Sequence, residues 1–277
     1  RIYRYFITSV RKNQLFFRIE IVCIKKLCGL PNSLKLVLTL RTGFVILLCR
    51  EDGMKIKAVI FDLDGTLLNT LSDLYLSVNY MLKKFGFPLR SEREVRSFLG
   101  SGVKVLVNKS LPPSSDAFAE ECLSVFKEYY DKHKSDHTAP YDGIISMLKE
   151  LHARGFLTAI VSNKYDGAVK RLKEDYFGSL VDFAVGEGHG IRIKPAPDGV
   201  EKALEALGVK KEESLYAGDS EVDYLTAKNA DMNFVAVSWG FRDREELVET
   251  GAETIIDKPD ELFAAIDAVE AKSRGLR

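Results

Sequence analysis

The sequence predicts an α/β protein in which a Rossmann-like, doubly wound parallel sheet forms the core and carries an inserted all-helical cap. Three observations lead to this prediction. Short apolar runs alternate with helical patterns over most of the chain, one long segment has helical patterns only, and acidic residues directly follow two of the apolar runs. Alternation of this kind is typical of a parallel sheet with helices on both faces.

The predicted strands are six short apolar runs. They lie at residues 57–61, 157–161, 181–185, 215–217, 234–237 and 254–256. Helical patterns cover residues 143–154, 167–176, 197–207, 221–229 and 259–271. Sheets of this kind place their chemistry beyond the carboxyl ends of the strands. The functional residues are therefore expected where the apolar runs end.

Residues 71–137 break the alternation, because helical patterns there follow one another without a strand between them. The helical runs cover residues 71–85, 91–99, 103–109 and 116–133. We interpret the segment as a cap inserted after the first strand, above the strand ends, where it can close over a site. The predicted catalytic core then comprises residues 54–70 and 138–277.

The first 53 residues differ in composition from the rest of the chain. They contain ten Lys and Arg against three Asp and Glu, and they show no sustained helical or strand period. No element is assigned to them. Met54 is followed at once by the first predicted strand. The hypothesis is that residues 1–53 are an N-terminal extension outside the fold, upstream of a start at Met54.

Composition also bears on partners and location. Residues 54–277 are mildly acidic and have no run rich in Lys and Arg, so a nucleic-acid partner is not expected. The most apolar stretch, residues 34–49, is shorter than the roughly 20 residues that span a bilayer, so stable membrane association is not expected either. Four scattered cysteines argue against a disulfide framework and favour the reducing cytoplasm.

The strongest motif follows the first predicted strand and reads Phe-Asp-Leu-Asp-Gly-Thr from residue 61 to 66. In extended backbone, Asp62 and Asp64 point to the same side, and Gly65 allows a sharp turn after them. Two carboxylates this close remain ionised together only beside a cation, unless one takes a proton. The pair therefore suits one nucleophile and one acid or base.

This motif resembles the first motif of the haloacid dehalogenase superfamily of phosphatases and mutases. Ser162 and Asn163, which end the second strand, are similar to the second motif, and Lys194 is similar to the third. Asp219 and Asp223 end another strand and match the fourth. The resemblance extends over residues 54–271, with the motifs in the family's order.

The start of the cap narrows the resemblance. Asn69, Thr70, Asp73 and Leu74, with Asn79 further on, are similar to the cap start of phosphoglycolate phosphatases, in which an Asp stands where this chain has Asn69. A Phe-Leu-Gly-Ser-Gly turn at residues 98–102 is similar to their cap turn. The chain thus resembles superfamily members with a small helical cap.

The resemblance implies a Mg²⁺ site. Asp62 and Asp219 are expected to supply side-chain oxygens and Asp64 its backbone carbonyl, while Asp223 supports the site directly or through a water. Such a ligand set agrees with the preference of Mg²⁺ for about six oxygens, several of them from water.

The resemblance also implies the catalytic roles. Asp62 is expected to be the nucleophile and Asp64 the general acid and base. Ser162, the backbone N–H of Asn163 and the ammonium group of Lys194 are expected to bind the phosphate.

The function implied is that of a Mg²⁺-dependent phosphoric monoester hydrolase acting on a small phosphorylated metabolite, such as phosphoglycolate, through an aspartyl-phosphate. The expected assembly is a monomer or a homodimer.

Alternatives within the superfamily are an inorganic pyrophosphatase, a sugar-phosphate phosphatase or mutase, and a phosphonatase using Lys83 or Lys84. A mutase of this class carries His where Leu74 stands. A non-catalytic phosphometabolite-binding protein is a further alternative, but it would not need both Asp62 and Asp64.

Overall fold

The computed structural model describes residues 2–7, 19–24, 35–40, 43–48, 55–188 and 190–273. The chain divides into two compact units. Residues 1–55, with a few residues near the C-terminus, form one unit, and residues 56–272 form the body of the other.

The N-terminal unit contains an antiparallel sheet of four strands in the order β1-β2-β3-β4. The strands are β1 (Ile2–Ile7), β2 (Ile19–Ile24), β3 (Lys35–Leu40) and β4 (Gly43–Leu48). No element was assigned here from the sequence. Strands β2, β3 and β4 are largely apolar without a regular alternation, so the period-two signal that identifies a half-buried strand is missing. Met54 lies outside the described residues, and the hypothesis about it stays a prediction.

The larger unit is built on a parallel sheet of six strands in the order β12-β11-β10-β5-β8-β9. A separate antiparallel pair joins β6 to β7. The strands are β5 (Ala58–Phe61), β6 (Leu68–Asn69), β7 (Ala139–Pro140), β8 (Leu157–Tyr165), β9 (Phe183–Glu187), β10 (Ser214–Gly218), β11 (Asn233–Val237) and β12 (Ile255–Ile256). All six predicted strands lie in the parallel sheet, and the predicted fold class is confirmed.

Helices fill the rest of this unit. The four cap helices are α1 (Leu71–Lys84), α2 (Glu92–Phe98), α3 (Val103–Ser110) and α4 (Ala119–His133). The core helices are α5 (Ile144–Ala153), α6 (Asp166–Tyr176), α7 (Asp198–Leu207), α8 (Glu221–Asn229), α9 (Arg244–Glu249) and α10 (Leu262–Ser273). Short 3₁₀ turns lie at Asp116–Phe118, Gly178–Leu180, Lys211–Glu213 and Pro259–Glu261. No described helix is long and apolar enough to cross a membrane.

Apolar side chains bury both faces of the sheet. Along β5, Val59 and Phe61 pack into one cluster and Ile60 into the other, as the alternation of a strand requires. Strand β5 lies between β10 and β8, with Phe61 opposite both Ala217 and Ile160. The chain therefore brings the residues that follow these three strands to one place at the carboxyl edge of the sheet.

The cap has its own apolar cluster, formed by residues of α1 to α4 with Phe241 from the core. Its two connections to the core are held together. Strands β6 and β7 pair at Leu68 with Pro140, and the buried Asp73 carboxylate accepts hydrogen bonds from the backbone N–H groups of His137 and Thr138 at 2.9–3.1 Å. The chain thus leaves the core and returns to it at neighbouring points.

Candidate active site

The centre of the site is the turn after β5. The backbone N–H of Asp62 donates to Ala217 O at 3.0 Å, which extends the pairing with β10 by one residue. Gly65 has a φ of +92°, and a Cβ there would lie 2.4 Å from Asp219 Oδ2. Only glycine allows both this backbone conformation and this close approach. The turn therefore places Asp62 beside the residues that follow β10.

Asp219 is buried at the end of β10 and is fixed by two hydrogen bonds. The Thr66 hydroxyl donates to Oδ1 at 2.9 Å, and the Phe241 backbone N–H donates to Oδ2 at 2.7 Å. The Phe241 ring belongs to the apolar cluster of the cap. One residue thus orients an acidic side chain of the core and packs against the cap.

Lys194 is buried between two carboxylates. Its Nζ lies 2.7 Å from Asp62 Oδ1 and 2.7 Å from Asp223 Oδ1. Asp223 also accepts hydrogen bonds from Tyr216 Oη at 3.2 Å and from Ser220 Oγ at 2.6 Å. Both oxygens of Asp223 are therefore engaged, and its main contact in the site is with Lys194. Asp62 Oδ1 touches Lys194 without hydrogen-bond geometry and has no hydrogen-bond partner among the described residues.

Ser162 and Asn163 lie within β8, which continues to Tyr165. The Ser162 hydroxyl accepts a hydrogen bond from Lys164 N at 3.2 Å. The Asn163 side chain accepts from Lys194 N at 2.7 Å, and donates to Lys194 O at 3.0 Å and to Gly100 O at 3.1 Å. This amide thus braces the Lys194 segment and the cap turn, so its side chain has a structural task.

Asp64 points away from the other acids, toward Lys164. Both of its carboxylate oxygens lie 2.8 Å from Lys164 Nζ. This ammonium group also lies 4.9 Å from the centroid of the Tyr130 ring, which belongs to α4 of the cap. Burial lowers the pKa of Lys164, but the charge and hydrogen bonds of Asp64, together with Tyr130, outweigh this effect and the net pKa is raised. Lys164 is therefore a charged, buried lysine.

The carboxylates are buried close enough to oppose each other's ionisation. Asp62, Asp219 and Asp223 each offer an oxygen within 4.8 Å of the others. Burial raises the pKa of Asp219 to about 7, with a further contribution from Asp223. Burial also raises the pKa of Asp62 well above its usual range, although Lys194 opposes this. A divalent cation would stabilise all three charged forms, so this donor set fits one.

A cavity of about 40 Å³ lies over these residues, between core and cap. Its core wall carries Asp62, Asp64, Ser162, Asn163, Lys164 and Lys194. Its other wall is formed by Leu74, Leu99, Gly100, Gly102, Val103, Leu106 and Phe241. This space holds about three water molecules at roughly 10–15 Å³ each.

Comparison with known proteins identifies the family. The model of the haloacid dehalogenase-like hydrolase family matches residues 59–237, which is more than half of the chain. The chain belongs to this family.

Similar proteins share most of this haloacid dehalogenase-like chain. Phosphoglycolate phosphatase of Aquifex aeolicus is 33% identical over 67% of this chain and 86% of its own length. Phosphoglycolate phosphatase 1 of Pseudomonas aeruginosa is 32% identical over 76% and 80%. A solved structure from Lactobacillus delbrueckii subsp. bulgaricus is 37% identical, covers 77% of this chain and 99% of its own, and has a TM-score of 0.74. These relatives confirm the resemblance to phosphoglycolate phosphatases.

The predicted site residues of this haloacid dehalogenase-like hydrolase fall into two groups. The side chains of Asp62, Asp219 and Asp223 lie together with Lys194, as the motifs predict. The Asp64 side chain lies with Lys164 instead, which leaves its backbone carbonyl as the group predicted for the metal.

Sequence analysis missed three contributors to the site of this family member: Lys164, Tyr130 and Phe241. A signal for Lys164 was available, because strand alternation places it on the same side as Ser162. Tyr130 reaches Lys164 only through the packing of the cap, and Phe241 lines the cavity where it packs against the cap cluster.

Proposed function

We propose that this chain is a Mg²⁺-dependent phosphatase that hydrolyses a small phosphomonoester, with Asp62 as the nucleophile. The observation that carries the proposal is the state of the Asp62 carboxylate at the end of the central strand. It is buried, it lies 2.7 Å from Lys194, and its Oδ1 accepts no hydrogen bond from the described residues. An oxygen held in this way can attack a phosphorus atom placed in the cavity.

The reaction has two steps, with the atoms balanced in each. An Asp62 oxygen forms a bond to phosphorus while the bond from phosphorus to the leaving oxygen breaks, and Asp64 gives its proton to that oxygen. Asp64 then takes a proton from a water molecule, whose oxygen attacks phosphorus as the bond to Asp62 breaks. Phosphate leaves, and both carboxyl groups return to their starting states.

Lys194 and Ser162 supply groups for the phosphate oxygens, together with the backbone N–H of Asn163. Lys194 is charged despite its burial, because Asp223 and Asp62 outweigh the lowering of its pKa by burial. Asp223 receives four hydrogen bonds from Lys194, Tyr216 and Ser220, so its role is to hold Lys194 in place.

The groups proposed to hold Mg²⁺ are the side chains of Asp62 and Asp219 and the backbone carbonyl of Asp64. Asp223 is proposed to support the site through its contact with Lys194. When bound, Mg²⁺ neutralises charge on the phosphate oxygens. Thr66 and Phe241 keep both oxygens of Asp219 oriented for that task.

The proposed substrate is compact and phosphoglycolate-like. The similar proteins named above are phosphoglycolate phosphatases, and the cavity between core and cap is small. An inorganic pyrophosphatase is the second candidate, because Pyrophosphatase PpaX of Listeria monocytogenes is 29% identical over 76% of this chain.

Several alternatives receive less support. Leu74 lines the cavity, where a mutase of this class needs His, and an apolar side chain cannot shuttle protons. Lys83 and Lys84 are exposed and are not among the described residues that line the cavity, which weighs against a phosphonatase.

The remaining expectations are proposals as well. We expect a monomer or homodimer that acts in the cytoplasm, with no nucleic-acid partner and no stable membrane association.

The experiment that tests the function is a screen of phosphorylated compounds with Mg²⁺. It compares 2-phosphoglycolate, pyrophosphate, sugar phosphates, a phosphoprotein and 5′-phosphorylated DNA on one enzyme preparation. We expect the highest kcat/KM for 2-phosphoglycolate or another compact phosphomonoester, and no conversion of glucose 1-phosphate to glucose 6-phosphate. Binding without turnover of any compound would favour a non-catalytic phosphometabolite-binding protein. Efficient dephosphorylation of a folded phosphoprotein would contradict the proposal that the cap restricts the site to small substrates.

A further inference from the structure

The cavity has a charged lysine for which the two-step reaction supplies no task. Two lysines line the cavity, and Lys194 is taken up by Asp62 and Asp223. Lys164 is the other, and among the described residues it forms an ion pair with Asp64 alone. Lys164 is thus a buried ammonium group with one carboxylate partner, on the wall of the cavity.

We propose that Lys164 binds a second anionic group on the substrate, a carboxylate or a phosphate carried by the leaving group, and releases Asp64 when it does so. Lys164 is thus a specificity-determining residue. This inference rests on the proposed function and names the class of substrate: compact phosphate esters or anhydrides with a second negative charge next to the leaving oxygen.

The geometry of the ion pair supports an exchange of partners. The Lys164 side chain is 2% exposed and the Asp64 side chain 19% exposed. The lysine is therefore fixed in the wall, with the Tyr130 ring on one side, while the carboxylate is the more accessible member of the pair. An incoming anion can replace Asp64 without moving Lys164. The charge on the lysine stays paired throughout, so the exchange avoids leaving a buried charge alone.

The exchange also connects binding with chemistry. While both oxygens of Asp64 contact Lys164, the carboxyl group cannot point freely at the leaving oxygen. A second anion on the substrate frees the Asp64 carboxylate, which then takes up a proton from solvent and can give it to the leaving oxygen. A substrate with a neutral leaving group leaves the Lys164–Asp64 pair intact, so it should bind and react poorly.

The cap wall does not offer another cation for this task. Its cavity-lining residues among those described are apolar side chains and glycines. Arg242, the nearest cationic residue along the chain to Phe241, is held by Glu221 at 2.8–2.9 Å and donates to Leu99 O at 3.0 Å. Recognition of a second anion therefore depends on Lys164.

The test compares three substrates on the full chain with Mg²⁺: 2-phosphoglycolate, ethyl phosphate and pyrophosphate. Ethyl phosphate has a methyl group where 2-phosphoglycolate has a carboxylate. The variants are Lys164→Met, which keeps length and removes charge, and Lys164→Arg, which keeps charge. Lys170→Met is the matched control, because Lys170 also pairs with an aspartate, Asp166, but lies on α6 with 60% exposure of its side chain.

We expect the unmodified protein to prefer 2-phosphoglycolate or pyrophosphate over ethyl phosphate. Lys164→Met should lower kcat/KM for the preferred substrate by about 10- to 100-fold, mainly through KM, since a charged hydrogen bond is lost. It should raise kcat/KM for ethyl phosphate, because the substitution frees Asp64 without a second anion on the substrate. Lys164→Arg should restore part of the preference, and Lys170→Met should change nothing. A larger loss of kcat/KM for 2-phosphoglycolate would identify the second anion as a carboxylate, and a larger loss for pyrophosphate would identify it as a phosphate.

Two outcomes would overturn the inference while the phosphatase proposal stands. One is equal loss of activity on all three substrates in a folded Lys164→Met protein, which would mean a structural role only. The other is equal use of ethyl phosphate and both anionic substrates by the unmodified protein. Absence of hydrolysis of every substrate by the unmodified protein would instead refute the phosphatase proposal itself.

Discussion

The two walls of the cavity are built from different kinds of residue. The core wall consists of charged and polar side chains at the ends of parallel strands, nearly all buried and held by hydrogen bonds or ion pairs. The cap wall consists of apolar side chains and glycines, mostly from the cap helices and the cap turn, with Phe241 from the core, and its apolar residues belong to the cap's own cluster.

This difference separates chemistry from packing. Groups on the core wall act through charge, and a dry apolar wall opposite strengthens their electrostatic interactions. Residues on the cap wall contribute stability and shape. Substitutions in the core wall should therefore remove activity and keep the fold, whereas substitutions in the cap wall should weaken the fold and keep most of the chemistry.

Asp62→Asn should reduce activity more than any other substitution in the core wall. We expect kcat to fall by about 10⁴-fold or more, because the nucleophile is removed at nearly constant volume. Stability should not fall, since burial already disfavours the Asp62 anion by raising its pKa. Steady-state kinetics and thermal unfolding measure the two effects. Asp175→Asn, at an exposed position, is the control, and residual activity within tenfold of the parent would rule out the covalent route.

Asp64→Ala tests the second carboxyl group of the core wall. Both steps need proton transfer, so the expected loss in kcat is about 10²- to 10⁴-fold. The loss should be smaller for a substrate with a good leaving group, such as 4-nitrophenyl phosphate, because its leaving oxygen needs no proton. Full activity of this variant on alkyl phosphates would remove Asp64 from the mechanism and favour a dehalogenase-like site.

The metal requirement tests the acid cluster as a whole. Burial and Asp223 raise the pKa of Asp219 to about 7, against about 3.9 for an unfolded chain. In metal-free protein the stability given by this extra proton is therefore full below about pH 4 and is lost as pH rises through 7. Mg²⁺ needs the ionised form, so it competes with the proton.

Mg²⁺ should accordingly raise the melting temperature more at pH 8 than at pH 6, by about 5 °C or more at saturating concentration. Thermal unfolding with and without chelator at both pH values measures this. Ca²⁺ should not support turnover, because it can engage both oxygens of Asp62. Equal rates with Mg²⁺ and Ca²⁺ would mean that this carboxylate is not the nucleophile.

Leu106→Ala tests the cap wall. This side chain is buried on α3 and lines the cavity, so its truncation should lower the free energy of unfolding by about 2–5 kcal/mol. Because it carries no charge near the reacting atoms, kcat on the smallest substrate should stay within about tenfold. Denaturant unfolding and kinetics separate the effects, and a loss of kcat comparable to that of Asp64→Ala would show that the cap wall takes part in the chemistry.

The same contrast explains how far the sequence could predict the structure. The six core strands and the strand-end residues Asp62, Ser162 and Asp219 follow from local patterns, because a buried parallel strand is a short apolar run and the sheet brings the ends together. The four cap helices were equally visible. What the sequence did not predict depends on packing between distant segments. Lys164 contacts Asp64, in the turn after β5, and Tyr130, on α4 of the cap. Neither contact follows from spacing along the chain.

The N-terminal residues give the opposite case. The strands there are short and apolar without a regular alternation, so a pattern search assigned none of them.

For Asn163, the motif predicted a phosphate-binding backbone group, but not the task of its side chain in bracing Lys194 and the cap turn. Such contacts depend on the three-dimensional arrangement rather than on spacing along the chain.

Removal of residues 1–53 should have the smallest effect of all. Both cavity walls and all three apolar clusters found among the described residues lie between Ile56 and Ile266. A protein that begins at Met54 should therefore keep kcat/KM within about twofold, and its cavity should respond to Asp62→Asn and Leu106→Ala as in the full chain. Kinetics, thermal unfolding and gel filtration of the two lengths side by side measure this. An insoluble or inactive truncated protein would show that the N-terminal unit is needed for the fold, and the comparison of two walls would then have to include a third region.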